Sequence, residues 1–419
     1  MSQCIGYIQS VSCFTKQTIQ HPDTMLTHLR LTKFRVFLFI IGAILTLLPL
    51  ACSPTVSPPS TIIIGLMAPL SGELAEGVGR QTLQGAELAV QQVNQAGGIP
   101  INGKNLQVVL EVADDTDSPD EAVAVATRLI NEKNIVGLVG LPLSRIAIPV
   151  SNVAERSRIP MISSWSTNPQ TTAGKEFVFR VTFTDDLQAK LIASFAKQEL
   201  NKQTAAVLYD IASEYNRDLA EFFQQEFTQL GGQVVAFESY TTDQDDFTEQ
   251  LQRIKDSQAE ILFLPNYDND IIIQTQKSRE MGIEAQFIGS DTWGGLSSLE
   301  NPQLEGAFFT DNWTITSREP AAESFIKNYQ QAYKFLPTTA AALSYDAINL
   351  MLTAIRNQNQ ADPESIRQGL AKIGTYEGVT GTMQFLGTGD PLRSVVVLQF
   401  QLGQPVFYKQ VNPALRSND

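Results

Sequence analysis

The sequence predicts an α/β protein with two lobes, each built on a parallel sheet. Short apolar or β-branched runs alternate with helical patterns through short loops, which is typical of parallel sheets covered by helices on both faces. This alternation occurs twice, over 61–163 and over 205–289. A chain of 419 residues has room for two such lobes, since domains average roughly 150 residues.

Apolar periodicity places the individual elements. In the first lobe it predicts strands at 61–66, 106–112, 135–140 and 160–163, and helices at 85–96, 121–131 and 147–157. In the second it predicts strands at 205–209, 234–238, 260–264 and 286–289, and helices at 218–230, 247–257 and 271–281. Helices at 321–333 and 340–357 follow, then strands at 383–386, 395–402 and 406–408. Ligands of open parallel sheets bind at the carboxyl ends of the strands, so the loops there are the candidate site.

Composition excludes several kinds of function. Residues 52–419 hold 26 Lys and Arg, 43 Asp and Glu, one Cys and no His. They cannot form a Ser-His-Asp triad, a zinc site of the usual type or an internal disulfide. An acidic surface also binds nucleic acid poorly, because phosphate contacts need clustered Lys and Arg. We therefore expect no nucleic-acid partner, no metal and no cofactor; a hydrolase using only carboxylates is not excluded, but no pair of acids indicates one.

A leader precedes the first lobe. The apolar run 36–48 follows Arg30, Lys33 and Arg35, which is the pattern of a secretory signal peptide. The run is shorter than the ~20 residues that a spanning helix needs. Met25 begins a leader of normal length, so we expect it to be the true start.

A lipid anchor is predicted at the end of the leader. The segment 48–52 (LPLAC) resembles the lipobox of bacterial lipoproteins, in which the cysteine, here Cys52, becomes lipidated. Ala51 fits that pattern and Pro49 departs from it. Ordinary cleavage nearby, with an unmodified cysteine, is the alternative. The Pro/Ser-rich residues 53–60 then form an extended tether.

Nine short stretches follow one another in a specific order along the body of the chain. They are 64–72, 85–90, 93–99, 114–115, 166–169, 179–180, 287–291, 345–347 and 378–381. The set resembles the type I periplasmic binding proteins that serve branched-chain amino-acid ABC transporters. That resemblance implies two Rossmann-like lobes with parallel sheets, joined by three crossovers and closing on a small ligand.

The resemblance also implies how the chain is divided. We expect a leader and signal peptide at 1–51 and a tether at 52–60. The first lobe would comprise 61–183 plus 311–390, and the second 184–310 plus 391–411. A tail at 412–419 completes the chain.

One end of the implied site holds the ligand carboxylate. In the family a serine and the loop after the next strand grip it, and these positions match Ser144 and Trp165, Ser166 and Thr167. Hydroxyls and free N–H groups suit an anion, although Ser144 and Thr167 could equally cap helices. Trp165 replaces the small residue expected there, and its indole would fill or cover part of the pocket.

The other end meets the ligand ammonium. The family's acid matches Asp291, whose alternative role is to cap the next turn. Asp185 matches a second contact near the ammonium, or a helix cap. Tyr215 matches a stacking tyrosine, with a spacing one residue too long, and Tyr267 aligns better. Ordinary packing is the alternative for both tyrosines.

Two charged features beside this site have plainer interpretations. Arg145 could pair with an acidic ligand side chain, but we expect it to be exposed at the surface. The acidic run 114–120 lacks the glycine and terminal glutamate of an EF-hand calcium loop. We expect it to form a solvated turn that caps the following helix.

Together these features predict a monomeric, lipid-anchored, extracytoplasmic protein without catalytic residues. It would capture an amino acid, branched-chain or related, and deliver it to an ABC permease. Two alternatives remain: a lipoprotein regulator of cell-envelope enzymes with the same fold, and a transporter component that binds urea or a short amide.

Overall fold

The computed structural model describes residues 61–242, 244–296 and 300–412. The predicted signal peptide, the Met25 start, the Cys52 anchor with its tether, and nearly all of the tail lie outside these residues. None of the helices in the described ranges is both long and apolar enough to cross a membrane.

Sixteen strands and ten α-helices make up the described ranges. The strands are β1 Thr61–Ala68, β2 Ile99–Ile101, β3 Lys104–Asp114, β4 Gly137–Gly140, β5 Met161–Ser163, β6 Val178–Arg180, β7 Thr204–Asp210, β8 Gln233–Tyr240, β9 Ile261–Leu264, β10 Gln286–Gly289, β11 Phe308–Asp311, β12 Thr375–Gly378, β13 Gly381–Phe385, β14 Pro391–Arg393, β15 Val395–Gln401 and β16 Gln404–Val411. The α-helices are α1 Arg80–Gln95, α2 Pro119–Glu132, α3 Ser144–Ser157, α4 Asp185–Ser194, α5 Glu214–Gln229, α6 Thr248–Ser257, α7 Asp268–Glu280, α8 Pro320–Tyr333, α9 Thr339–Gln358 and α10 Pro363–Lys372.

Each lobe has its own sheet. The first runs β2-β3-β1-β4-β5-β6 and is parallel except for the β2–β3 pair. The second runs β16-β15-β11-β10-β9-β7-β8, with β15 and β16 added antiparallel at one edge. Strands β12, β13 and β14 form a small antiparallel sheet of their own. The predicted α/β fold class with two parallel-sheet lobes is confirmed.

The apolar faces of the helices explain why the late helices belong with the first sheet. Leu343, Ile348 and Met351 of α9 share one core with Ile64 and Leu66 of β1. The second sheet has separate cores on its two faces. The chain therefore leaves the first lobe after β6, returns after β11 and leaves again after β14.

Several short elements were not predicted, namely α4, α10, β2, β11, β12 and β14. Strands of three or four residues are too short to display an alternating pattern. Helix α10 did carry a start signal that was missed: Asp362 accepts a hydrogen bond from the Ser365 N–H at 3.0 Å, and Pro363 follows it.

Candidate functional site

A cavity lies between the two lobes at the carboxyl ends of their parallel strands. Its volume is about 130 Å³. It is lined by Leu74, Gly77, Val78, Gln81, Pro142, Leu143, Ser144, Trp165, Thr167, Tyr215, Tyr267, Asp268, Asp291, Thr292, Gly294, Gly295, Thr338 and Thr339. Six of the eight residues that the family resemblance implied as ligand-binding are among these; that they bind a ligand stays a prediction.

Neutral donors form the end of the cavity on the first lobe. Ser144, the first residue of α3, accepts hydrogen bonds from the Ser166 hydroxyl at 2.9 Å and from the Asn168 N–H at 3.4 Å. The hydrogen of Ser144 Oγ remains available to a ligand. Thr167 lines the cavity beside it. Neither residue is a side-chain helix cap, since the capping position before α3 is Leu143 and the short helix after Thr167 is capped by Asn168.

Ser166 lies behind the cavity rather than in its wall. Its hydroxyl joins Ser144 to Thr171, whose Oγ1 is 2.7 Å away. The carbonyl oxygens of Ser166 and Asn168 accept hydrogen bonds from the buried guanidinium of Arg180 at 2.7 and 2.8 Å. Arg180 in turn pairs with Asp390 at 2.6 Å. In the sequence Arg180 belongs to one of the stretches that carry the family resemblance, but that pattern did not predict that its side chain fixes this loop.

The end of the cavity on the second lobe is the carboxylate of Asp291. Gln188 Nε2 at 2.8 Å and the Tyr215 hydroxyl at 2.7 Å donate to its Oδ1. Burial raises the pKa of Asp291, while the hydrogen bonds from Gln188, Tyr215 and Trp165 oppose that rise. Gln188 was not predicted, although its position one turn after Asp185 on α4 put it on the same helix face.

Trp165 connects the two lobes. From the first lobe its indole N–H donates to Oδ2 of Asp291 in the second lobe at 2.8 Å. The indole thus covers part of the pocket, as its size suggested, and it also occupies one acceptor position of the acid.

Asp185 is fully buried and does not line the cavity. Its N–H donates to the Thr167 carbonyl at 2.9 Å, which ties α4 to the end of the cavity on the first lobe. Burial raises the pKa of Asp185 well above its usual range; the nearby Thr167 hydroxyl opposes this shift and Asp291 adds to it. Because Asp185 does not line the cavity, it can influence the cavity only through its neighbours.

Aromatic rings form one wall. The rings of Tyr215 and Tyr267 are 5.5 Å apart, and the Arg145 guanidinium lies 5.0 Å from the centre of the Tyr267 ring. The expectation that Arg145 is exposed is wrong: its side chain is only 22% exposed and pairs with Asp117. Asp117 therefore anchors an arginine, so the acidic run to which it belongs is not simply a solvated turn. Asp268, directly after Tyr267, also lines the cavity and was not predicted.

Comparison with known proteins agrees with this geometry. A family model described as periplasmic binding protein matches residues 61–404. The Leu/Ile/Val-binding protein homolog 3 of Brucella melitensis is 29% identical over 337 residues, covering 78% of this chain and 88% of that protein.

Two solved structures are similar over nearly their whole length. A leucine-binding protein of Thermotoga maritima has a TM-score of 0.78 and 26% identity, covering 84% of this chain and 99% of the other. A branched-chain amino acid transporter substrate-binding protein of Streptococcus pneumoniae, solved with isoleucine, has a TM-score of 0.74 and 27% identity, covering 83% and 100%. The resemblance inferred from the sequence is thereby confirmed, and the chain belongs to the periplasmic binding protein family.

Proposed function

We propose that this protein captures an amino acid between its two lobes and delivers it to an ABC permease. The observation that carries the proposal is the opposed chemistry of one small cavity. Neutral donors at Ser144 and Thr167 form one end and the Asp291 carboxylate forms the other. A zwitterion needs both, because closure removes its two charges from water.

The site assignments belong to this proposal. Ser144, Thr167 and the backbone of Trp165 would hold the ligand carboxylate, with Ser166 supporting Ser144. Asp291 would accept the ammonium, and Tyr215 and Tyr267 would pack on the ligand. Asp185 would support the site through its hydrogen bond to Thr167. The lobe boundaries inferred from the sequence remain part of the same proposal.

Membership of the family supports a solute-binding protein of the extracytoplasmic space rather than an enzyme. The names of its relatives favour leucine, isoleucine and valine as a starting set of ligands. Lipid anchoring at Cys52 and a monomeric state complete the proposal. The lipobox-like segment supports the lipid anchor, and a cavity lined by residues of a single chain supports the monomeric state.

Thermal unfolding of residues 54–419 against the common L-amino acids, urea and short amides tests the proposal. A ligand at a hundred times its Kd adds about 2.7 kcal/mol to the free energy of unfolding. We expect one class of amino acid to raise the Tm, and Asp291→Ala to abolish that shift. Asp256→Asn, which removes an exposed carboxylate that is not part of the cavity lining, is the control and should keep it.

The other outcomes decide between the alternatives. If only urea or an amide raises the Tm, solute transport remains the function but Asp291 does not bind an ammonium group. Absence of any shift, with folded protein free of carried-over ligand, would contradict solute capture and favour the regulator of cell-envelope enzymes.

A further inference from the structure

Three neutral donors already surround the carboxylate of Asp291. Gln188 and Tyr215 donate to Oδ1, and the indole of Trp165 donates to Oδ2 from across the cleft. A carboxylate offers about four lone-pair positions. The backbone N–H of Asp291 itself takes about one more of these positions, so a ligand ammonium would meet Asp291 chiefly through its charge.

Asp268 is the second carboxylate that lines the cavity, and it lacks such partners. Within the described ranges its own backbone N–H is the only hydrogen-bond donor it has. Its Oδ2 lies 3.4 Å from where a Cβ on Gly295 would stand, so the glycine leaves space beside it. Burial raises the pKa of Asp268 to about 6, which is still below neutral pH. Its side chain is only half-buried, so a ligand that fills the cavity would take this charge out of water, and a charge buried in that way needs a partner.

The cavity does not supply that partner. Its described lining contains no Lys or Arg. Arg145 is close, but it is paired with Asp117 and stacked on Tyr267. The donors at the opposite end, Ser144 and Thr167, are neutral. An amino acid with an apolar side chain brings one ammonium, which compensates Asp291 and leaves Asp268 uncompensated.

We propose that the solute is an amino acid with a positively charged side chain, such as lysine, ornithine or arginine, and that Asp268 receives this charge. This inference rests on the proposed function, because it requires the ligand carboxylate and α-ammonium to be held as described there. Leu74, Val78 and Tyr267 line the cavity and suit the methylene chain of such a ligand. Asp268 would therefore determine the specificity for a positively charged side chain over an apolar one.

Isothermal titration calorimetry with L-lysine and L-norleucine tests the inference. Norleucine has the same side-chain carbons without the terminal ammonium. We expect lysine to bind at least about tenfold more tightly than norleucine or leucine, since a desolvated carboxylate left unpaired is costly. Asp268→Asn should reduce that preference to about threefold or less, while Asp256→Asn should leave it unchanged.

Each remaining outcome is informative. If norleucine or leucine binds the wild-type protein as tightly as lysine, the inference is overturned while amino-acid capture stands. If Asp268→Asn keeps the full preference for lysine, the assignment to Asp268 is overturned. If no amino acid binds folded protein, the proposed function fails and the inference fails with it. Should Asp268→Asn not fold, the comparison of lysine with norleucine on the wild-type protein still decides.

Discussion

Buried carboxylates dominate the electrostatics of this protein at the scale of single residues. Asp311, behind the cavity, accepts one hydrogen bond that the Thr339 hydroxyl shares between its two carboxylate oxygens, each at 2.9 Å, yet burial raises its pKa to about 8. Asp115, directly after β3, is fully buried, and burial together with the neighbouring Asp117 and Asp114 raises its pKa to about 7. Both groups make the folded state less stable as they ionise.

Asp115→Asn should therefore stabilise the protein in a pH-dependent way. The pKa of the Asp115 carboxyl is raised from 3.8 to about 7 by folding. Its ionisation therefore lowers the free energy of unfolding progressively as the pH rises between these two values. Below pH 3.8 there is no such loss, and above about pH 7 the loss is constant. We expect the substitution to add about 1–3 kcal/mol to the free energy of unfolding near pH 8, and less than about 0.5 kcal/mol near pH 4. Urea denaturation at both pH values measures this, with Asp245→Asn as the exposed control. Equal effects at the two pH values would contradict it.

At the scale of elements, the close approach of α1 and α9 holds the late helices on the first lobe. A Cβ on Gly85 would lie 2.1 Å from the carbonyl oxygen of Ala341, so only glycine permits this spacing. The hydroxyl of Tyr329 on α8 lies 2.8 Å from the side-chain oxygens of both Gln81 and Gln84 of α1, between which it shares its hydrogen. Close backbone contact thus adds to apolar burial in holding α1 and α9, which are distant in sequence, against each other.

Gly85→Ala tests that contact. The added methyl group meets rigid backbone rather than a flexible side chain, so the two helices must separate. We expect the free energy of unfolding to fall by about 1–3 kcal/mol, even though alanine is the better helix former. The matched substitution is Gly374→Ala, where a Cβ meets nothing within 4 Å. If both variants melt at the same temperature, the close approach does not limit stability.

At the scale of the whole molecule, one buried side chain joins the three segments that cross between the lobes. Arg393 lies at the third crossover. Its guanidinium donates to the carbonyl oxygen of Val181 at the first crossover and, at 2.8 Å, to the carbonyl oxygen of Asn312 at the second crossover. It also donates to Thr380 at 2.8 Å. Burial lowers the pKa of Arg393 to about 10, so it stays charged at neutral pH. A rigid planar donor at this place fixes the geometry about which the lobes would close.

Arg393→Met should loosen these crossovers. Three carbonyl groups lose a charged donor, and we expect the free energy of unfolding to fall by about 2–4 kcal/mol. Small-angle scattering should show a wider range of lobe separations in the variant. Arg253→Met removes an arginine whose side chain is 53% exposed and should change neither quantity. An Arg393→Met protein with wild-type stability and scattering would argue against this role.

The sequence by itself determined the layers, the order of the main strands and helices, and six residues of the cavity wall. Local periodicity carries the information on layers and element order, whereas the six cavity residues were implied by the resemblance to the periplasmic binding proteins; the carboxyl ends of parallel strands converge wherever such sheets form. It also determined the composition, since residues 52–419 contain no histidine and a single cysteine, Cys52.

Only the tertiary structure decided which groups face one another. Trp165 and Asp291 are 126 residues apart and belong to different lobes, so no local pattern predicts the hydrogen bond between them. For the same reason, the partner of Arg145, the crossover contacts of Arg393 and the unpaired carboxylate of Asp268 could not be inferred from the sequence. Their chemistry depends on burial and on neighbours that only the folded chain brings within reach.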